Sequence, residues 1–312
     1  YWLERDARLR TEFHITSGFQ ESDIPRIKFK SKMKDYYKKA GIPTARFHMV
    51  DTEENCLAFA KEVGYPVVAK PDNGVGASHT FKITSDEEMK TFFEEKWPDT
   101  VYIMEEYIWG EVNSYDAIID SNGKPMFETG NVSPVSIMDI VNEQQSSLFY
   151  ILKKLPADTR KAGRATVKAF GVKSRFVHFE FFRLQRDQEG LGKAGDLVAL
   201  EVNMRPSGGF TPDMINFAHS TDVYKIWADM IAFDETTMPA GTSAFCAFVG
   251  RRDGKDYVLD DAALSGKYSK QICMEDRMPD ALSGAMGNRM YIATFSTEKQ
   301  MAAFYKDALT CR

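Results

Sequence analysis

Two segments of the chain alternate polar and apolar side chains with a period of two. Over residues 197–209, Glu201, Asn203 and Arg205 fall on one side, and Val198, Leu200, Val202 and Met204 on the other. Over residues 175–183, His178 and Glu180 share one side, with Val177, Phe179 and Phe181 opposite. Successive strand residues point to opposite faces, so each segment predicts a strand with one polar and one greasy face. Other stretches predict strands at 46–50, 66–70, 80–84, 101–107, 243–249 and 290–295, and helices at 30–40, 52–63, 212–218, 221–232 and 297–308. Ser85 and Glu88 sit at capping-box spacing and start a helix running to about Trp97. Residues 111–120 and 125–135 form a hairpin across Asn122-Gly123, which supplies the positive backbone torsions of a tight turn. Two helices are expected within 138–170. Residues 14–27 read as an irregular linker after a short charged helix. The whole is α+β with mostly antiparallel sheets.

Composition adds little and excludes some classes. The chain has 312 residues, 43% of them hydrophobic, and a net charge of −5. That is enough for a sizeable core and two or three subdomains, and it argues against a general nucleic-acid binder. Six lysines between Lys28 and Lys39 are the local exception, and most of them read as a solvated helix face. Cys56, Cys246, Cys273 and Cys311 are scattered without a CxxC pair. They match neither a disulfide framework nor a zinc site, so a reducing, cytoplasmic compartment is expected. No apolar run reaches the length of a membrane span, and no membrane partner is expected. The chain begins with Tyr1 rather than Met, which suggests a fragment or a missing start.

The polar faces carry the chemistry. Two glutamates and an asparagine on neighbouring strands, beside an arginine, suit a magnesium–phosphate site, because Mg²⁺ prefers hard oxygen ligands. A solvated sheet face is the alternative. The strand ending at Lys70 runs into a glycine turn containing Gly74, Gly76 and Ser78. Its backbone N–H groups can approach phosphate oxygens while the lysine adds a point charge; an ordinary turn is the alternative. No Walker-type or GxGxxG motif occurs. Residues 104–111 end an apolar strand with Glu105, Glu106 and Tyr107, which is either a plain strand end or the lining of a purine pocket.

Taken in order, these parts resemble the ATP-grasp superfamily over about residues 28–232. They are Lys30 before a helix ending in Ala40-Gly41-Ile42-Pro43, Lys70 with its glycine loop, Glu105-Glu106-Tyr107-Ile108, and His178-x-Glu180 with Glu201-x-Asn203-x-Arg205. The segment from Arg205 to Gly209 looks most like the carboxylate–amine (L-amino acid) ligases, and less like biotin carboxylase or carbamoyl-phosphate synthetase. The resemblance implies two α+β subdomains clasping ATP, at 28–107 and 108–232. A remnant of an N-terminal domain would precede them at 1–27, and a C-terminal α+β subdomain would follow at 233–312. It makes Lys30 and Lys70 phosphate ligands, with Gly74, Gly76 and Ser78 in the lid. Glu105, Glu106, Tyr107 and Ile108 become the adenine hinge, with Glu111 in place of the usual ribose-binding acid, because Val112 stands where that acid is expected. Glu180, Glu201 and Asn203 become ligands of Mg²⁺ (or Mn²⁺). Arg205, with Gly208 and Gly209, would stabilise the acyl phosphate and the oxyanion. His178 is a candidate base, or else an orienting or packing residue. The implied partners are a small-molecule carboxylate and amine, and a second copy in a homodimer. A carboxylase on the same fold and a non-catalytic ATP-binding module are the competing functions.

Overall fold

A computed structural model describes residues 2–74, 79–134, 145–239 and 241–312. Its chain divides into two compact units, each built from more than one stretch of sequence. Unit 1 holds residues 1–110, 161–172 and 179–202, and unit 2 holds 111–160, 173–178 and 203–312. Among the described residues, no helix is long and apolar enough to cross a membrane.

Unit 1 opens with helices α1 (Trp2–Glu12), α2 (Ile24–Lys28) and α3 (Lys30–Ala40). The region expected as linker thus contains α2 and a 3-10 turn at Glu21–Asp23, with Ile24 and Ile27 buried. Gly41 ends α3 in a left-handed conformation (φ 72°), and its N–H caps the Tyr37 and Lys38 carbonyls. A four-stranded sheet follows in the order β1 (Phe47–Met49), β4 (Tyr102–Glu106), β2 (Val67–Pro71), β3 (Phe81–Ile83), all neighbours antiparallel. Helices α4 (Glu53–Val63) and α5 (Asp86–Glu95) cover one face. There Val67, Ala69, Ile83, Tyr102 and Met104 pack on Cys56, Phe59, Ala60, Met89 and Phe92. Val68 pairs with Glu105, and Lys70 with Ile103, so the opposite face carries both Lys70 and Glu105.

The second sheet has the order β10 (Leu197–Asn203), β9 (Arg175–Leu184), β5 (Gly110–Ile119), β7 (Asn131–Ser133), β8 (Ser147–Ile151), β11 (Phe245–Arg251), β13 (Arg289–Phe295), β12 (Ile272–Arg277), with β6 (Pro125–Thr129) paired to β5. Residues of β9 and β10 are divided between the units. The expected hairpin is present, but its second strand breaks at Gly130 into β6 and β7. A Cβ there would lie 2.4 Å from the Ser114 carbonyl oxygen, so only glycine allows the chain to pass so close. Residues 147–151 differ from expectation. They form strand β8, paired with β7 and β11, where a helix was expected. The run Ser-Leu-Phe-Tyr-Ile is too short for periodicity to choose, and two strand partners decide it. A single described helix, α6 (Ala157–Phe170), follows.

Helices α7 (Thr211–His219) and α8 (Val223–Phe233) cover one part of this sheet. Their Met214, Ile215, Ile226 and Met230 pack with Ile118, Phe176, Phe248 and Ile292. Helices α9 (Asp261–Lys267) and α11 (Glu298–Leu309) make a separate core with β11 and β13, built on Leu264, Phe304, Val249 and Tyr291. Helix α10 (Asp280–Met286) completes unit 2.

Candidate active site

In unit 1 the site grows from one face of α3. Lys30, Met33, Lys34 and Tyr37 follow a 3–4 spacing and form its inner stripe, although the helix is rich in lysine. Lys32, Lys38 and Lys39 on the other side are exposed, as expected of a solvated face. Lys34 was not singled out by sequence, and it is drawn inside by a carboxylate on a distant strand. Its Nζ lies 2.5 Å from Glu105, whose other oxygen is 2.5 Å from Lys70 Nζ. Burial opposes ionisation of Glu105, yet the two lysines outweigh it and hold the carboxyl down at about 2. For Lys34 the balance goes the other way: burial lowers its pKa more than Glu105 raises it. The resemblance expects Glu105 at an adenine edge; here its carboxylate is bound between two ammonium groups.

Lys30 reaches a different set. Its Nζ donates to the Gly74 carbonyl at 2.7 Å and lies 3.4 Å from Glu201. Asp72 holds the start of α3, accepting from the Ser31 N–H and hydroxyl at 2.7 and 2.8 Å. Tyr37 is fully buried, and its hydroxyl has no partner among the described residues. Burial, then the charges of Glu201 and Glu180, push that phenol well above its usual range. Both carboxylates therefore act on one buried spot beside α3. Gly76 and Ser78 lie outside the described residues.

Glu106 is bound to Arg46, whose backbone N–H, Nε and Nη2 donate to its carboxylate at 2.7, 3.1 and 2.8 Å. The stretch after it is held by a residue absent from the expected set. Gln188 Nε2 donates to the Tyr107 carbonyl at 2.9 Å, and its Oε1 accepts from the Trp109 N–H at 3.2 Å. Between them, Ile108 is buried with Ala45, Leu184, Leu191 and Val198. Tyr107 stacks edge-on against Trp109, with Lys82 Nζ 4.9 Å from its ring centre. A polar cavity of about 450 Å³ opens beside this stretch, lined by Arg46, Glu106, Tyr107, Arg186 and Gln188 among others.

In unit 2, His178 Nδ1 lies 2.8 Å from the buried Asp116 carboxylate. Asp116 also accepts from the Ser114 hydroxyl. Asn203 ends β10, two residues beyond Glu201 on the same strand, and is half-buried. Arg205 is exposed and donates to the Pro206 carbonyl at 2.9 Å. The loop it starts is fixed at both ends: Arg175 Nε donates to the Met204 carbonyl at 2.7 Å, and the Thr211 hydroxyl to the Gly208 carbonyl at 2.8 Å. Gly209 takes φ 62°, a conformation suited to glycine, and Gly208 has open space around it. Glu111 is half-buried at the start of β5.

The donor set tests whether a divalent cation fits. Glu180, Glu201 and Asn203 offer only hard oxygens, which suits Mg²⁺ or Mn²⁺ and not a thiophilic metal. Among the described residues, metal-type side chains are found close together at His48, Asp51 and Cys56 in unit 1. There Asp51 already accepts from His48, the Thr52 N–H and Asn55, at the N-terminal end of α4. The positive end of that helix dipole opposes a cation, so the group reads as a helix cap.

Residues 26–108 match the family model described as carbamoyl-phosphate synthase L chain, ATP binding domain. The chain is 27% identical over 217 residues to the L-arginine-specific L-amino acid ligase of Bacillus subtilis, covering 66% of this chain and 50% of that enzyme. It is 24% identical over 130 residues to the C-terminal section of the carbamoyl phosphate synthase large chain of Methanopyrus kandleri, covering 40% of this chain and 23% of that one. The matches therefore span half or less of those relatives. Among solved structures, the L-amino acid ligase of Bacillus licheniformis superposes with a TM-score of 0.70 at 15% identity, over 97% of this chain and 76% of that one. The biotin carboxylase domain of Hydrogenobacter thermophilus 2-oxoglutarate carboxylase, a dimer solved with MgADP and bicarbonate, superposes with a TM-score of 0.69 at 17% identity, over 99% and 71%. The chain has the ATP-grasp fold. Its sequence relatives include an L-amino acid ligase and carbamoyl phosphate synthases, and its structural neighbours include biotin carboxylases.

Proposed function

We propose that the protein is an ATP-dependent carboxylate–amine ligase that works through an acyl phosphate. The observation that carries this reading is a pair of half-dry ion-pair groups inside unit 1, Lys34 and Lys70 on Glu105 and Lys30 on Glu201. Ammonium groups held in a half-dry site are suited to a triphosphate, whose transfer needs mainly positioning and charge neutralisation. Similarity to an L-amino acid ligase over 66% of the chain supports the amino acid-like character of the carboxylate.

In this reading a substrate carboxylate oxygen attacks the γ-phosphorus of ATP, and ADP leaves. The amine then attacks the acyl carbon and phosphate leaves. Lys30 and Lys70 bind the phosphates, exchanging their present carboxylate partners for phosphate oxygens. The Tyr107–Ile108 backbone, strapped by Gln188, offers a fixed edge for the purine. Glu180, Glu201 and Asn203 hold Mg²⁺ (or Mn²⁺), which when bound neutralises phosphate charge. Arg205 and the N–H groups of Gly208 and Gly209 stabilise the oxyanion of the second step. The 233–312 segment and the remaining unit 2 surface are left to shape the acid and amine pockets.

The test supplies ATP, Mg²⁺ and each of the twenty L-amino acids with hydroxylamine, and measures hydroxamate and ADP. Hydroxylamine captures an acyl phosphate without a second substrate. Hydroxamate with at least one amino acid is the expected result. ADP release that depends on bicarbonate alone would instead favour a carboxylase, a second reading that the carbamoyl-phosphate synthase family match keeps in play.

A further inference from the structure

Glu105 stands between two lysines that are held very differently. On one side of β4, strand β1 sets Phe47 directly opposite Glu105. Lys34 lies on that side. Its Nζ is 2.5 Å from one carboxylate oxygen, donates to the Ala45 carbonyl at 3.2 Å and lies 5.1 Å from the Phe47 ring centre. An ammonium group over an aromatic face is held there by the ring quadrupole. On the other side of β4, strand β2 brings up Lys70, next to its end and just before the glycine turn. Lys70 Nζ is 2.5 Å from the second carboxylate oxygen, and among the described residues it has that contact alone. Lys34 therefore has three anchors and Lys70 one. Both lysines and Glu105 are buried. A phosphate ligand at Lys70 has to draw it off Glu105, and a buried carboxylate left without a partner is costly. Lys34 removes that difficulty. Burial lowers its pKa, Glu105 raises it, and the charge of Lys70 lowers it again. Departure of Lys70 thus strengthens the charge that stays on Glu105.

We propose that Lys34 is a positioning residue: it is the standing counter-ion of Glu105, and it frees Lys70 to exchange that carboxylate for a phosphate group of the nucleotide. Lys34 itself keeps its contacts with Glu105, Ala45 and Phe47 and touches no phosphate. The proposal rests on the triphosphate-binding step of the ligase reading and on none of the later chemistry.

The experiment is titration calorimetry of the full chain with a non-hydrolysable ATP analogue and Mg²⁺. Lys34→Met is expected to bind about a hundredfold more weakly than wild type, the fold-change that corresponds to stranding a buried charge. In the Glu105→Gln background the same Lys34→Met change is expected to alter affinity by less than about threefold, because no carboxylate is left to strand. Wild-type affinity in Lys34→Met overturns the proposal. A loss of equal size in both backgrounds overturns it too, since a lysine that merely supports the fold would behave in that way. Lys34→Gln, which keeps a donor without the charge, takes the place of Lys34→Met if that variant does not fold, with the same expectations. If Glu105→Gln does not fold, titrations in two buffers of different ionisation enthalpy decide. Lys34→Met is then expected to take up a proton on binding that wild type does not, as Glu105 neutralises when Lys70 leaves it; equal proton uptake overturns the proposal. The hydroxamate assay separates this proposal from the ligase reading. Wild-type protein that binds the analogue and makes no hydroxamate defeats the ligase reading and leaves the Lys34 variants to decide this one. Wild-type protein that binds no analogue overturns both.

Discussion

Glu105 shows how much one buried side chain decides. It is 7% exposed and neutralises two lysines that the fold would otherwise leave charged and dry. Removing one member of such a group strands the others, which typically costs about 3–5 kcal/mol. Glu105→Gln should therefore lose stability of that order in urea unfolding, and adding Lys34→Met should recover part of it. The acid limb follows from the same contacts. The carboxyl sits at about 2 in the folded protein against an ordinary value of 4.5. Its stabilisation is thus present above the unfolded pKa and is lost as pH falls from about 4.5 through about 2. Wild-type protein should lose stability over that window, and Glu105→Gln should lose less. Arg205 is the contrast. It is exposed and bonded only to its neighbour's carbonyl among the described contacts. Arg205→Ala should leave stability within about 0.5 kcal/mol, yet on the ligase reading it should cost at least about tenfold in turnover. A stable, fully active Arg205→Ala protein would remove that residue from the reaction.

At the scale of elements, α3 matches its expected span because its stop signal is local. Gly41 adopts φ 72° with nothing within 4 Å of where a Cβ would be, so the requirement is conformational and not steric. Gly41→Ala should cost about 1 kcal/mol or more in urea unfolding, and an unchanged midpoint would show that the helix end adapts freely. The alternation in β9 and β10 was equally legible, since period two is written in adjacent residues; Val198 and Val202 are buried while Glu201 and Asn203 are half-buried. What local pattern cannot show is which polar face is inside. Lys34 looks like one more surface lysine until Glu105, on β4, is brought to it. Gln188 was equally hidden, because its function comes from reaching across to Tyr107 and Trp109. β8 was misread for the same reason: its strand character is conferred by β7 and β11.

For the molecule as a whole, the α+β class and the antiparallel sheets were legible, because each strand and helix carries its own periodicity. The membership of the compact units was not, since unit 1 recruits residues 161–172 and 179–202 after the chain has left it. Those returns bring Glu201 to Lys30 and the charge of Glu180 to Tyr37, both on α3. The central claim is that this assembly grips a triphosphate through a divalent cation. The most direct measurement is titration calorimetry of a non-hydrolysable ATP analogue, with and without Mg²⁺, on wild-type protein and on Glu201→Gln. The account predicts wild-type binding that strengthens with Mg²⁺, and a Glu201→Gln protein, still folded, in which the Mg²⁺ enhancement is lost. Wild-type binding indifferent to Mg²⁺, or an enhancement untouched by Glu201→Gln, would contradict it.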